Sequence, residues 1–301
     1  MKKSDWPEVA NLIYLSTNHW YQTQQGISAF SGGPDVCLLF CQVYEDIDPD
    51  CCLIAKHEQT GMILGSCFYH PRETHVSLGI MNVHPNYFGA GVAGALLNEI
   101  IQFSQQRERP LRLVSSALNL DSYSLYNRKG FVPTAIYQDM VIKVPSNGID
   151  TSNFDLSRIR DADLEDVSAM GALEFEVSGI SRERDYCYFI ENDLDIWHVS
   201  ISEDKNGAIN GFLVSVNHPG SNMLGPGISK NADTAANLIV SELNQHQGRS
   251  PIVLVPADQR PLVDAMYSIG AKNCELHFAQ VLGDQQPING IVMPTFMPET
   301  G

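Results

Sequence analysis

Apolar positions along this chain alternate between helical and extended spacing, and the switches mark out its elements. Val9, Leu12 and Ile13 recur at helical spacing behind Asp5-Trp6-Pro7-Glu8. Asp5 and Glu8 fit a capping box and Pro7 suits a first turn, so a helix is predicted from Ser4 or Asp5. Residues 24–50 read as loop-rich, around Gly26, Gly32-Gly33-Pro34 and an acidic stretch at 45–50, with a short helix over 36–43. Residues 52–56 and 62–69, split by a polar turn at Gly61, predict a hairpin, and 75–83 a third strand. Leu96, Leu97, Ile100, Ile101 and Phe103 then form one face of a helix. A strand at 111–115, a helix at 122–128 stopped by Gly130, and a strand at 132–144 complete the run.

After a linker at 147–152 the order repeats. Asp163-Leu164-Glu165-Asp166-Val167 starts a helix as Asp5 to Val9 does; Gly207–Phe212 echoes Gly61–Ser66; Leu238, Ile239 and Leu243 echo Leu96, Leu97 and Ile101; Gly270-Ala271 echoes Gly130-Phe131. Such a long period is the signature of an internal duplication. The second copy has an extra strand at 154–159 before its first helix, so either the chain starts after the matching strand or the first unit does without one. The expected fold class is α/β (α+β), two tandem units with mixed, mostly antiparallel sheets flanked by helices. The expected domains are 1–145, 153–283 and a tail, 284–301, whose apolar residues 287–298 should lie on a domain surface.

Composition narrows the partners. With 44% hydrophobic residues the chain can build a substantial core. It shows no leader-like apolar segment and no run long enough to span a bilayer, so a cytoplasmic, non-membrane protein is expected. Seven cysteines without framework spacing are expected to be reduced and buried. Net charge is −16 and uneven: residues 1–145 hold ten Lys+Arg against thirteen Asp+Glu, residues 146–301 nine against twenty-two. That balance argues against nucleic acid and anionic membranes and favours a cationic partner.

The chemistry concentrates between strand 75–83 and the next helix. Pro85 ends the strand, and the small residues of Gly89-Ala90-Gly91-Val92-Ala93-Gly94 open the helix. A glycine-rich turn at a helix start leaves unpaired N–H groups converging beside the positive end of the helix dipole, which suits phosphate. The six residues literally read GxGxxG, but a dinucleotide fingerprint needs the strand to run straight into the first glycine and an acid at the end of the next strand. Here Pro85 and its followers intervene, and the next strand ends in Ser115-Ser116.

The stretch Val83-His84-Pro85-Asn86-Tyr87-Phe88-Gly89-Ala90-Gly91-Val92-Ala93-Gly94, followed by Asn119, Leu125-Tyr126 and Gly130-Phe131, resembles the acetyl-CoA motifs of the GNAT N-acetyltransferases over roughly residues 4–145. The second copy resembles the degenerate partner domain of tandem members of that family. The resemblance implies acetyl transfer from acetyl-CoA to a primary amine of a small molecule or peptide, in a ternary complex and without a metal. It implies that the backbone of 89–94 holds the pyrophosphate, that Met81 and Val83 pair with the pantetheine arm, and that Asn119 touches it. Tyr126 would protonate the departing thiolate; a phenol with pKa near 10 can donate to a thiolate of basicity near 8.5.

Phe88 stands where the family pattern has Arg or Gln, which removes a side-chain contact to phosphate. For the base, the strand face expected to be shared with Val83 offers Met81, Gly79, Ser77 and His75, of which His75 alone titrates; His84, Glu73, His70 and Tyr87 are the other candidates. In the second copy Leu224–Ile228 should take the place of the phosphate loop, and Met266 that of Tyr126. Two other readings stay open: an inactive CoA-binding sensor or partner protein, and an NAD(P)-dependent enzyme.

Overall fold

The computed structural model describes residues 1–298 and forms two compact units, Met1–Leu113 joined by a short segment from Phe296, and Val114–Thr295. The last three residues of the expected tail, 299–301, lie outside the described residues.

In the first unit α1 (Trp6–Gln25) follows a short 3₁₀ turn and ends at Gly26, whose φ of 71° is the left-handed value a helix C-cap needs. The expected Asp5/Glu8 capping box does not form. Asp5 instead accepts from the backbone N–H of Lys2 and from Lys56, and Glu8 accepts from the N–H of Ile63 at 2.9 Å, tying the helix to the sheet. After α2 (Leu38–Ile47) come β1 (Cys52–Lys56), β2 (Ile63–Pro71) and β3 (Val76–Val83), an antiparallel run, then α3 (Val92–Gln106) and β4 (Leu111–Ser116).

Alternation along β2 divides the packing. Phe68 and His70 meet Tyr44 of α2, while Tyr69 meets Phe103 of α3 with ring centroids 4.7 Å apart. Gly65 lies on the α3 side, where a Cβ would come within 2.7 Å of Val92, so this glycine lets the start of α3 sit tightly on the sheet.

β4 crosses the boundary between the compact units. The second unit continues with α4 (Leu120–Arg128), β5 (Val132–Val141), β6 (Ile159–Asp161), α5 (Val167–Ser178), α6 (Glu183–Glu191), β7 (Trp197–Glu203), β8 (Ile209–Val216), β9 (Met223–Ser229), α7 (Ala232–Leu243), β10 (Ile252–Pro256), α8 (Arg260–Ser268), β11 (Lys272–Leu282) and β12 (Ile291–Met293). From α5 onward this repeats the order of α1 to β5, and β6 is the additional strand. It forms at 159–161 instead of 154–159, because 154–158 are taken up by turns in which Asp155 accepts from Ser157.

Strand order in this unit is β4-β11-β5-β10-β9-β8-β7-β6. β5, the last strand of the first copy, pairs antiparallel with both β10 and β11 of the second. The compact division therefore falls inside β4. The core of this unit gathers Leu238, Ile239 and Leu243 of α7, Leu262 and Met266 of α8, and Val253 and Val255 of β10.

Two sequence expectations are corrected in this unit. The apolar tail does not lie on the surface: Ile291, Val292 and Met293 are buried in β12, paired with β9. Leu224–Ile228 is the interior of β9 and not a loop, because Met223–Ser229 pairs along both its edges.

Candidate functional site

In the first unit β3 and β4 run parallel but pair only at Val76–Leu111 and Ser77–Arg112. Beyond those residues the edge of β3 faces no partner strand among the described residues, so its backbone groups can take an extended ligand as an added strand. Met81 and Val83 lie on this free part. The pairing with β2 jumps from Cys67–Met81 to Tyr69–Leu78, so Gly79 and Ile80 oppose the single residue Phe68. This is a β-bulge.

The bulge changes which residues share a face. Val83 and Met81 pair with Gly65 and Cys67 on the α3 side, but past the bulge it is Leu78, opposite Tyr69, that takes this side. Ser77, opposite His70, points to the α1–α2 side. The face expected from strict alternation back from Val83 is therefore broken before it reaches His75.

After β3, Pro85–Tyr87 form a 3₁₀ turn capped by His84, whose Nδ1 accepts from the N–H of Asn86 at 3.2 Å. Gly89 and Gly91 have φ of 76° and 86°, a conformation side chains disfavour, with open space where a Cβ would stand. Gly91 is the N-cap of α3 and supplies no side chain, and Ala95 is the residue that donates to its carbonyl. The N–H groups of Val92, Ala93 and Gly94 thus precede the first helical hydrogen bond and face outward at the positive helix end. Phe88 is 48% exposed and stacks at a tilt on His19, with centroids 5.9 Å apart.

The other side chains named from sequence lie as follows. Asn119 is the N-cap of α4, its Oδ1 accepting from Ser122 at 3.0 Å. Tyr126 is buried on α4, its ring 5.7 Å from Phe131. Gly130, at φ 94°, turns the chain so that the N–H of Phe131 reaches the carbonyl of Tyr126 at 3.1 Å. The spaced Tyr126…Gly130-Phe131 set is thus one local structure that ends the helix.

His75 is buried, with Nδ1 3.0 Å from the Thr74 hydroxyl. Six residues separate it from Met81, about 20 Å of strand. Glu73 is exposed in the turn before β3, and the Tyr87 ring lies beside those of His57 and His84.

His70 is placed differently. Its Nδ1 is 2.7 Å from Asp48 Oδ2, and Arg72 donates to both oxygens of Asp48 at 2.8 and 2.9 Å. A Cβ on Gly79 would be 2.9 Å from His70 Nε2, so the ring reaches the bulge itself. Burial pushes the Asp48 carboxyl up, but the hydrogen bond with His70 and the charge of Arg72 outweigh burial and hold it below its ordinary value. Asp48 escaped the sequence reading because only the fold brings it from the acidic stretch at 45–50 to a strand twenty-two positions on.

One group among the described residues, Asp139, Glu275 and His277, brings three potential metal ligands within 4.8 Å of one another. Its Asp139–His277 contact is a 2.8 Å hydrogen bond, shorter than the roughly 3.3 Å between two ligands on one tetrahedral zinc. Glu275 also hydrogen-bonds Ser116. The group behaves as a polar network joining β4, β5 and β11.

In the second unit the corresponding features differ. Pairing between β8 and β9 jumps from Leu213–Gly227 to Ser215–Leu224, a bulge at Gly225-Pro226 matching Gly79-Ile80. β9 passes almost directly into α7, whose N-cap Asn231 accepts from Thr234 at 2.9 Å. At α7 a side chain takes one of the first N–H groups, so fewer are left open there than at α3.

Comparison with known proteins agrees with this geometry. A family model described as the acetyltransferase (GNAT) domain matches residues 48–133, from Asp48 through the glycine turn to the end of the Tyr126 set. No curated protein sequence matches the chain. Among solved structures, a Pyrococcus horikoshii protein assigned as an acetyltransferase is similar at 13% identity and TM-score 0.77, covering 99% of this chain and 94% of that one. A GCN5-related N-acetyltransferase from Sphaerobacter thermophilus is similar at 15% identity and TM-score 0.65, covering 96% of each chain. A tandem GNAT protein from the clavulanic acid biosynthesis pathway is similar at 11% identity and TM-score 0.58, covering 95% and 97%. Residues 48–133 therefore match the GNAT acetyltransferase domain, and the fold along the whole chain is that of the GNAT acetyltransferases.

Proposed function

We propose that the protein moves an acetyl group from acetyl-CoA to the primary amine of a small molecule, directly and within a ternary complex. The observation that carries this reading is the parted β3–β4 pair, which leads straight to an uncapped, glycine-turned helix start. The backbone of Met81 and Val83 takes the pantetheine arm, and the N–H groups of Gly89 and of residues 91–94 hold the pyrophosphate, that of Ala90 being bonded to the Tyr87 carbonyl. With the phosphates fixed at that end, the thioester falls toward the closed end of the slot, at Leu78–Ile80. Residues 1–145 form the catalytic domain and 153–283 a non-catalytic partner.

His70 acts as the base. Asp48 accepts from Nδ1–H, and in the neutral ring that tautomer leaves Nε2 as the acceptor, while Arg72 shares the Asp48 charge. The amine nitrogen attacks the thioester carbon and passes its proton to His70. A backbone N–H of β3 steadies the oxyanion. The C–S bond then breaks, and the resemblance assigns Tyr126 to return a proton to the thiolate. His75 lies too far down β3 to serve in this scheme.

The test is thermal shift with acetyl-CoA, CoA and NAD(P), followed by thiol release with a panel of amines. Stabilisation by acetyl-CoA together with amine-dependent thiol release is expected. Phe88, in place of the Arg or Gln of the family pattern, favours a second reading, a CoA binder without turnover. Stabilisation without thiol release would select it, and a response to NAD(P) alone would overturn both.

A further inference from the structure

The second unit contains the same parted slot as the first, and it is filled. β9 and β10 run parallel but pair only at Met223–Ile252 and Leu224–Val253, as β3 and β4 pair only at their starts. Into the opening comes β12, antiparallel to β9, with Ile291 opposite Ser229, Val292 opposite Ile228 and Met293 opposite Gly227. It also packs against β10. Counted from the two bulges, Gly227 and Ser229 are the counterparts of Met81 and Val83. The tail therefore pairs with the backbone positions that, in the first unit, are assigned to pantetheine.

Local chemistry is fitted to this occupant. A Cβ on Gly227 would lie 2.8 Å from the Met293 methyl, and one on Gly225 would lie 2.8 Å from the carbonyl oxygen of Pro294 and 3.0 Å from Thr295 Cβ. These are the glycines that, in sequence, imitate a phosphate loop; in the fold they make room for a peptide. Pro226 removes an N–H from the bulge. Asn231 caps the helix start that would otherwise meet phosphate. Met293 and Thr295 are fully buried.

We propose that the second unit keeps the strand-accepting slot of the fold but is built to take an extended apolar peptide, the chain's own segment 287–295, in place of the pantetheine arm of an acyl-CoA. The inference rests on the second unit alone and stands apart from the activity assigned to the first. It implies one acyl-CoA site per chain, and a slot that recognises a strand by main-chain pairing, as in donor-strand complementation.

Amide hydrogen exchange on the full chain, with and without saturating acetyl-CoA, tests it. Slow exchange at 291–293 that acetyl-CoA leaves unchanged, together with one equivalent bound by calorimetry, is expected. A second equivalent bound, or protection at 291–293 lost on adding acetyl-CoA, would overturn the proposal. Should acetyl-CoA bind nowhere while 291–293 stays protected, the reading of the first unit fails and the tail assignment holds.

A chain ending at Asp284 supplies the second arm. A synthetic peptide of residues 285–295 should bind it saturably and raise its melting temperature, and the same peptide with Val292→Pro should not. Equal effects of the two peptides would also overturn the proposal. If the shortened chain does not fold, the exchange comparison on the intact protein decides alone.

Discussion

At the scale of single residues, the pairing of His70 with Asp48 separates two effects that are easily confused. Removing the ring removes a base. His70→Asn should lower turnover by about 10²-fold or more, leave the thermal shift with acetyl-CoA in place, and flatten the rise of rate with pH that a titrating base produces. An unchanged pH profile would sink the assignment. Removing the carboxylate charge removes structure, because it breaks the buried ion pair between Asp48 and Arg72. Asp48→Asn should therefore cost about 3–5 kcal/mol of stability, measured by denaturant unfolding, whatever it does to catalysis. Tyr126→Phe keeps the ring contact with Phe131 and deletes the hydroxyl, so turnover should fall while the thermal shift on adding acetyl-CoA stays close to that of the wild type. Residues whose role is local were legible in the sequence. Gly89, Gly91 and Gly130 all take the positive φ that glycine permits, whereas the capping of α4 by Asn119 came only with the fold. His70 was one candidate base among several and Asp48 was not named at all, because their partnership depends on β2 returning past the end of α2.

At the scale of elements, the elements of both copies follow hydrophobic period and turn chemistry, whereas their pairing does not. Neither bulge leaves a period in its own strand, since a bulge is a mismatch between two strands; this is why the face assigned to His75 failed. The tail shows the same limit, as its apolar residues announce burial without naming the strand that buries them. Charged contacts between elements are equally hidden. His198 of β7 bonds Glu242 of α7 through Nδ1 at 2.9 Å and faces Asp161 of β6 through Nε2 at 3.3 Å, while Ser215 of β8 donates to Glu242 at 2.6 Å. The hydrogen bond to Glu242 raises the His198 pKa against the opposing effect of burial, with Glu242 and Asp161 adding charge. A histidine whose pKa rises on folding contributes its stability fully below the unfolded value near 6.5 and loses it as pH climbs through the raised folded value. His246 is shifted the other way by burial, with Glu242 opposing and Arg249 assisting, so its contribution weakens as pH falls. His198→Gln should consequently be more destabilising at pH 6 than at pH 9 by thermal melts, and an equal loss at both would show that His198 stays neutral.

At the scale of the whole molecule, duplication has left two slots of one design, the second of them filled by the tail, and an uneven charge. The parting of β3 from β4 and of β9 from β10 is common to both copies. What distinguishes them is a helix start that has no side-chain cap at Gly91 in one and is capped by Asn231 in the other, and a tail that among the described residues pairs with the second slot. The repeat was visible in the chain, but the pairing of β5 with β10 and β11 was not, since it joins segments far apart in sequence. Charge, by contrast, needs no fold to be read. A net charge of −16 sets up a negative potential that concentrates cations near the surface and repels anions, acetyl-CoA among them. With acetyl-CoA held saturating, so that its own repulsion drops out, kcat/KM for a polyamine should fall by about tenfold as ionic strength rises from about 0.01 to 0.3 M, because the screening length shrinks from about 30 Å to under 10 Å. A net-neutral amino acid offering the same primary amine should show a much flatter dependence. Equal salt slopes for the two acceptors would mean that the acidic surface serves solubility and takes no part in choosing the substrate.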